Sequence, residues 1–229
     1  MGLGEFYFAG KSTRDFNVYC TGAGTFSAPL RKYTANEIPG KNGLDLEDEK
    51  SFSNGVLSYK CIVKGDISDF ERFRAFLMSR SGYHRLEDTF HPDEYRMAAL
   101  GESISPTIKG HDDIAAFEVT FSALPQRFLK SGDNDIPIVT TGVIINNTYF
   151  ESKPMIRVLG SGAVAINGKS FTVTNVDGYV DVDCENMDAY KGTTNMNDYF
   201  VGEFPTLDPG ANNISCSVGI EIKPRWYTI

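Results

Sequence analysis

Apolar and polar residues alternate without interruption near the end of the chain. The apolar set is Ile214, Cys216, Val218, Ile220 and Ile222. Because successive side chains of a β-strand point to opposite faces, this period of two predicts one strand over 214–223 with a buried and a solvent-facing side. A turn over 204–212, which contains two prolines and a Pro-Gly pair, precedes this strand, and Pro224 ends it.

One stretch has helical rather than strand periodicity. Its apolar residues, spaced three or four apart, are Phe70, Phe73, Phe76 and Leu77. Ser68 as N-cap with Glu71 three residues later fits a capping box, and Ser81-Gly82 supplies a left-handed stop. The pattern predicts one helix at about 69–80 that packs its phenylalanine stripe against a sheet.

The rest of the chain has the pattern of short strands. Between Val56 and Val63 the set expected to be buried is Leu57, Tyr59, Cys61 and Val63. Asn167-Gly168 and Asp177-Gly178, each flanked by apolar residues, predict two hairpins in series. The predicted fold class is therefore mainly β with one packed helix: an N-terminal β-sandwich or barrel-like domain, followed by a C-terminal β-sandwich.

A polar, breaker-rich segment between residues 130 and 137 suggests the domain boundary. The charge changes at the same place, because residues 131–229 hold 12 acidic and 6 basic side chains and so carry −6 of the net charge of −8. We predict an N-terminal domain over 1–130, a linker over 131–141 and a C-terminal domain over 142–229.

Composition excludes several classes of function. A net charge of −8 and a pI near 4.9 argue against nucleic-acid binding, which needs clustered Lys and Arg. No apolar run approaches the roughly 18 to 20 residues that span a bilayer, so no membrane association is expected. The cysteines, Cys20, Cys61, Cys184 and Cys216, form no C-x-x-C pair, and buried free thiols are expected.

No motif supports catalysis, a cofactor or a metal. Gly10-Lys11-Ser12-Thr13 resembles the end of a phosphate-binding loop, but Glu5 stands where that loop needs its first glycine. His84, His91 and His111 have no metal-ligand spacing. The chain is predicted not to be an enzyme, with no catalytic, cofactor-binding or metal-binding residues.

Two acidic runs remain. Asp181, Asp183 and Glu185 alternate with apolar residues, and we expect them on one solvated strand face, with an ion site or a charged contact with a neighbouring subunit as the alternatives. Asp45, Glu47, Asp48 and Glu49 follow Gly43 and are expected in a loop. An ordinary solvated loop and a contact surface are both compatible with this second run.

Several motifs, in order along almost the whole chain, resemble the distal tail protein (Dit) family of siphophages and prophages. The closing turn over 204–212 and Pro224-Arg225-Trp226 are similar to the end of that family's sequences. In residues 38–43 the family's Pro-Gly-Arg-x-Gly turn has Lys41 in place of Arg. The other similar segments are 14–18, 68–77, 82–86, 91–96, 152–158, 160–168 and 179–185.

The resemblance implies a structural hub at the distal end of a phage tail, in the short form without an inserted carbohydrate-binding module. It implies a homohexameric ring built by the N-terminal domain, a galectin-like C-terminal sandwich, and a location at the virion tail tip after assembly in the host cytoplasm. The implied partners are the tail tube protein and a tail-associated lysin, tail fibre or receptor-binding protein, and DNA passes through the ring without specific binding.

The acidic run Asp45, Glu47, Asp48 and Glu49 lies in the domain that builds the ring in this family, so we expect it to face the channel or a neighbouring subunit. An alternative function, a carbohydrate-binding module of a phage or cell-wall protein, would need exposed aromatic residues and a polar cleft. The chain has one tryptophan, Trp226, and most of its phenylalanines occupy patterned core positions.

Overall fold

The computed structural model describes residues 3–108 and 114–229. The chain divides into two compact units, the first comprising Met1–Arg127 and Ile229, the second Phe128–Thr228. Both are built almost entirely of β-strands, and each has its own hydrophobic core. The predicted fold class, mainly β with one packed helix, is confirmed.

The first unit holds one large curved sheet and one helix. Its sheet runs in the order β2-β1-β7-β8-β10-β6-β3, with the short strand β9 also paired to β10. The elements are β1 (Phe6–Phe8), β2 (Lys11–Ser12), β3 (Val18–Phe26), β4 (Arg31–Glu37), β5 (Leu44–Phe52), β6 (Gly55–Val63), α1 (Ile67–Met78), β7 (His84–Asp88), β8 (Glu94–Leu100), β9 (Thr107–Ile108) and β10 (Ile114–Leu129).

Strand β6 and helix α1 form the centre of this core. The face of β6 predicted to be buried is buried, with Tyr59 and Cys61 fully inaccessible. From the helix, Phe70 and Phe73 lie within aromatic contact distance of Phe117 on β10. The helix is held against the sheet by these rings, as its phenylalanine spacing predicted.

The helix begins two residues earlier than predicted and has a different cap. Asp66 is the N-cap, and its Oδ1 accepts hydrogen bonds from the backbone N–H groups of Ser68 at 2.8 Å and Asp69 at 3.3 Å. The predicted Ser68 cap is therefore wrong, because Asp66 already accepts hydrogen bonds from the free backbone N–H groups at the start of the helix. The hydrogen bonds to Ser68 hold the pKa of Asp66 below its usual range.

The second unit is a β-sandwich. One sheet has the order β11-β21-β13-β16-β17-β18 and the other β12-β20-β14-β15-β19. Its strands are β11 (Ile136–Ile138), β12 (Thr141–Asn146), β13 (Met155–Val158), β14 (Gly162–Ile166), β15 (Lys169–Val173), β16 (Val180–Asp183), β17 (Asp188–Lys191), β18 (Thr194–Asn195), β19 (Phe200–Gly202), β20 (Gly210–Cys216) and β21 (Ile220–Lys223). The short strand β22 (Tyr227–Thr228) lies in neither of these sheets and pairs with β10.

Of the two predicted hairpins, only the first forms. Asn167 and Gly168, with φ of 50° and 87°, join β14 to β15 by a two-residue turn, as the Asn-Gly pair predicted. Asp177-Gly178 also turns, with φ of 80° at Gly178, but it carries the chain from β15 in one sheet to β16 in the other. A turn signal alone does not say whether the next strand pairs with the previous one.

The segment 131–141 is not a free linker. Lys130–Asp133 forms a turn of 3-10 helix, and the backbone N–H of Arg225 donates to the carbonyl of Gly132 at 2.9 Å. Strand β11 then pairs antiparallel with β21. The breaker residues that suggested a linker instead place Ile136 and Ile138 at the edge of the six-stranded sheet.

The strand predicted over 214–223 is two strands. Strand β20 ends at Cys216 in the five-stranded sheet, and β21 begins at Ile220 in the six-stranded sheet. The chain crosses between the sheets at residues 217–219. The alternation continues across the break because both strands turn their apolar side toward the same core.

Candidate functional site

Strands β4 and β5 form a two-stranded hairpin apart from the large sheet of the first unit. Every side chain from Arg31 to Lys50 is exposed. The strands are joined by a turn over 38–43 with positive φ at Gly40 and Gly43, and the register pairs Ala35 with Leu46. This arm, residues 31–52, holds the acidic run singled out in the sequence.

The two faces of the arm differ in chemistry. Alternation along β5 and the register to β4 place Tyr33, Ala35, Leu44 and Leu46 on one face, where Glu37 lies opposite Leu44 beside the turn. Tyr33, Leu44 and Leu46 are exposed by 49, 54 and 59%. Asp45, Glu47 and Glu49 lie on the other face, opposite Asn36 and Thr34. The arm is thus a ribbon with one mainly apolar face and one acidic face.

Asp48 is separated from the other three acids. It lies on the apolar side, where both of its carboxylate oxygens accept from Arg31 Nε at 3.0 and 3.1 Å. The hydrogen bonds from Arg31 hold its pKa below the usual range. Asp48 Oδ1 also accepts from the backbone N–H of Lys50, whose φ of 53° marks the bulge in β5.

The other acids have weaker local partners. Lys41 lies 2.9 Å from Asp45, and Thr34 Oγ1 donates to Glu49 at 3.1 Å. The run is therefore a strand and not the expected loop, and only three of its four carboxylates share a face. The apolar face was missed in the sequence, although the alternation Leu44-Asp45-Leu46-Glu47 carried the signal.

The other candidate motifs that the structure describes lie apart from one another, in separate strands and turns. Lys11 and Ser12 lie in β2, and only a four-residue 3-10 helix follows, too short to hold phosphates. His91 contacts Asp88 and His84 contacts the carbonyl of Ser81, whereas His111 lies outside the described residues. Within 3–108 and 114–229, no group of three or more His, Cys, Asp and Glu could hold a metal ion.

The four cysteines are free thiols, as expected. Cys20, Cys61 and Cys184 are buried, and Cys216 is half-buried. Burial raises the pKa of Cys184 to about 12, which makes it a poor nucleophile.

The strand face expected to be solvated is instead buried and paired. Asp181 and Asp183 on β16 are exposed by only 8 and 4%. Arg157 Nε and Nη2 donate to Asp181 at 2.7 and 3.0 Å, and Arg225 Nη1 and Nη2 donate to Asp183 at 2.7 and 3.1 Å. Both arginines come from other strands or loops, so the sequence of β16 alone could not reveal them. Glu185 lies beyond the strand and is exposed.

Beside these two ion pairs, the outer face of the six-stranded sheet has a cavity of about 370 Å³. Arg157, Asp181 and Glu221 lie on its sheet side, Tyr190 also lines it, and Asp133 contributes from the 3-10 turn. The arm and this cavity are the two candidate sites, one in each unit.

No helix among the described residues is long and apolar enough to cross a membrane. No protein-family model matches the chain, and none of the curated proteins matches it.

The fold, in contrast, matches solved structures over the full length. The crystal structure of the Dit protein of phage SPP1, described as a paradigm of the hub adsorption apparatus in phages that infect Gram-positive bacteria, aligns with a TM-score of 0.76 at 13% identity and covers 100% of both chains. Chains of the phage p2 baseplate in its activated conformation align with TM-scores of 0.56 with strontium and 0.52 with calcium, at 13 and 12% identity. They cover 96 and 97% of this chain, and 98% of theirs in each case. This chain has a Dit-like fold.

Proposed function

We propose that this chain is a structural hub at the distal end of a phage tail. The observation that carries the proposal is the fold, which matches that of the SPP1 Dit protein with a TM-score of 0.76 and covers 100% of both chains. A match over both units leaves no part of the chain for an additional inserted module. The proposed role is structural, because the solved structures with the same fold are phage hub and baseplate proteins.

The arm supports assembly of the hub into a ring. An isolated two-stranded hairpin is at best marginally stable in water, and this one exposes its apolar face as well as its acidic face. A neighbouring copy that covers Tyr33, Leu44 and Leu46 would remove apolar surface from water and stabilise both strands. We propose a homohexameric ring in which the apolar face of each arm contacts the next subunit.

The acidic face then turns toward the channel. Six copies at −8 each carry −48, and a channel that repels phosphate lets DNA pass without holding it. Asp45, Glu47 and Glu49 are the residues proposed to face the channel, while Asp48 with Arg31 lies on the subunit-contact side.

The proposed partners follow from this position in the tail. On one side the ring joins the tail tube protein, and on the other a tail-associated lysin, tail fibre or receptor-binding protein. The chain would assemble in the host cytoplasm and end at the virion tail tip. A carbohydrate-binding module as the whole function is less well supported, because it accounts for one unit of the chain only.

The ring is tested by native mass spectrometry of the full-length protein. We expect a hexamer, and we expect the double variant Leu44→Ser and Leu46→Ser to remain folded but lose the hexamer. The matched control, Val139→Ser with Val201→Ser, changes two apolar residues of the second unit that are at least as exposed as Leu44 and Leu46, and it should leave the hexamer intact. A wild-type protein that stays monomeric at all concentrations would contradict the proposed ring.

A further inference from the structure

The two outer faces of the C-terminal sandwich are built from different chemistry. Among the residues that the structure describes, the strands of the five-stranded sheet place no charged side chain on its outer face, which exposes Val143, Ile145 and Val201. The outer face of the six-stranded sheet carries Arg157, Asp181, Glu221 and Lys223 within the cavity of about 370 Å³. The two outer faces therefore differ in charge, and the face of the six-stranded sheet is the one that offers charged groups to a ligand.

The charged groups are fixed in place rather than free in solvent. Each of the two arginine–aspartate pairs is held by two parallel hydrogen bonds, and both aspartates are almost fully buried. The arginine side chains stay 44% exposed at Arg157 and 28% exposed at Arg225, so each guanidinium group is held in position by its aspartate and still faces solvent. Groups arranged in this way are preorganised, which is what ligand recognition requires.

Arg225 adds backbone strain to this arrangement. Its φ is 55°, in the left-handed region that a non-glycine residue rarely adopts, and its side chain reaches back to Asp183 at the cavity. Gly132 allows this geometry, since a Cβ there would lie 2.3 Å from the backbone nitrogen of Trp226. Strained residues held by their surroundings cluster at ligand sites.

Two groups at the cavity remain available to a ligand. The Tyr190 hydroxyl donates only to the thioether sulfur of Met155, at 3.8 Å, and a thioether is a weak acceptor. Glu221 lies beside Arg157 across the strand pair and accepts no hydrogen bond from the part of the chain that the structure describes. One donor and one acceptor therefore face the cavity beside the fixed pairs.

The volume of the cavity and the charges that line it indicate which class of ligand fits. A volume near 370 Å³ falls at the lower end of small-ligand pockets, about 300 to 1,000 Å³. The lining carboxylates Asp133, Asp135, Asp181 and Glu221, with Asp183 behind them, outnumber the cations Arg157, Lys223 and Arg225. The excess of acids disfavours anionic ligands. Fixed carboxylates and guanidinium groups beside a tyrosine ring suit the many hydroxyl groups of a sugar.

We propose that the cavity on the six-stranded sheet binds a saccharide that is neutral or carries an amine, with Glu221 and Tyr190 hydrogen-bonding its hydroxyl groups. Binding by this surface does not depend on ring formation, so it stands apart from the proposed hub function. It would give a tail-tip protein a direct contact with a glycan surface.

The test is binding of the full-length protein to a glycan array with glucosyl, galactosyl, glucosaminyl, N-acetylglucosaminyl, sialylated and phosphorylated glycans. We expect binding to at least one neutral or amine-bearing glycan and weaker binding to the anionic ones. Tyr190→Phe and Glu221→Gln should each weaken that binding about tenfold, the effect of losing one strong hydrogen bond. Both replacements keep the shape of the side chain and should leave the fold intact.

Tyr149→Phe is the matched control, because this tyrosine lies in the same unit, outside the cavity, and is 92% exposed. The Tyr149→Phe variant should bind the glycan with the same affinity as the wild type. The proposal is overturned if no glycan on the array binds, if the anionic glycans bind best, or if both cavity variants bind as tightly as Tyr149→Phe.

Discussion

Ile214 and Ile222 are buried in one hydrophobic core although they belong to different sheets. Ile214 lies on β20, between β12 and β14, and Ile222 lies on β21, between β11 and β13. The crossing at residues 217–219 is closed by hydrogen bonds from Ser217 N to Ala163 O at 2.9 Å and from Leu159 N to Gly219 O at 2.9 Å. These few residues join the two layers of the sandwich, which also meet through the shared core.

The turn at Gly168 should tolerate no β-branched residue. Its φ is 87°, and a Cβ would have open space, so the cost of Gly168→Val comes from backbone strain alone. We expect the variant to lower the free energy of unfolding by about 1 kcal/mol or more. Unfolding followed by the fluorescence of Trp226, the one tryptophan, reports on this unit. Thr172→Val, at an exposed position of β15, is the control and should change little.

The pair Asp183–Arg225 should make the second unit sensitive to acid. Burial alone would raise the pKa of Asp183, but the hydrogen bonds and charge of Arg225 and the backbone N–H groups of Asn186 and Glu185 outweigh it, so the pKa is lowered. A lowered folded-state pKa contributes stability above the unfolded pKa of about 4, and this contribution is lost as pH falls below it.

Asp183→Asn should therefore cost about 3 kcal/mol at pH 7, where it leaves Arg225 without its carboxylate. The difference between variant and wild type should shrink as the pH falls from 4 toward 2. Denaturant unfolding at pH 7 and pH 3 measures both values. A difference that stays constant across this range would show that the charge of Asp183 does not contribute.

Reversing the charge of the acidic face of the arm should change either ring assembly or the retention of DNA by the ring. We expect the triple variant Asp45→Lys, Glu47→Lys and Glu49→Lys either to prevent ring assembly or to make the ring retain DNA. Retention should weaken steeply with added salt, because it would rest on phosphate contacts and counterion release. Gel shift and native mass spectrometry distinguish the two results.

The matched control reverses three exposed acids elsewhere, by Glu102→Lys, Asp198→Lys and Glu203→Lys. It brings the same change in net charge, so retention by the control as well would mean that total charge, not the arm, is responsible. If the triple arm variant forms normal rings and does not retain DNA, the proposal that the acidic face lines the channel is contradicted.

Trypsin should cut the free subunit first at Lys41. This lysine lies in the exposed turn over 38–43 at the tip of the arm, and a two-stranded hairpin opens easily. In the assembled ring the arm would be covered and the cut should slow markedly. Mass spectrometry of the first fragments, from monomer and hexamer fractions separately, checks this. First cleavage at Lys130 would instead favour the linker predicted from the sequence.

The sequence by itself determined those elements of the fold whose interacting residues are close together in the chain. The spacing of Phe70, Phe73 and Leu77 predicts a helix and its buried side, and these residues are buried as expected. Asn167-Gly168 predicts a tight hairpin because the backbone requirement lies within the two turn residues. Alternation in β6 likewise identified its buried face, since a strand's two sides differ in burial wherever the partner strands lie.

Tertiary structure alone decided the features that depend on distant partners. Asp181 and Asp183 look like a solvated acidic strand until Arg157 and Arg225, 24 and 42 residues away, close over them. The apparent single strand over 214–223 splits because two sheets share one core, and alternation is the same in either arrangement. In the arm, the register of β4 on β5 places Asp48 where it pairs with Arg31, and Asp45, Glu47 and Glu49 lie together on the opposite face. Strand pairing decides which side chains of the two strands share a face, and the sequence does not show that pairing.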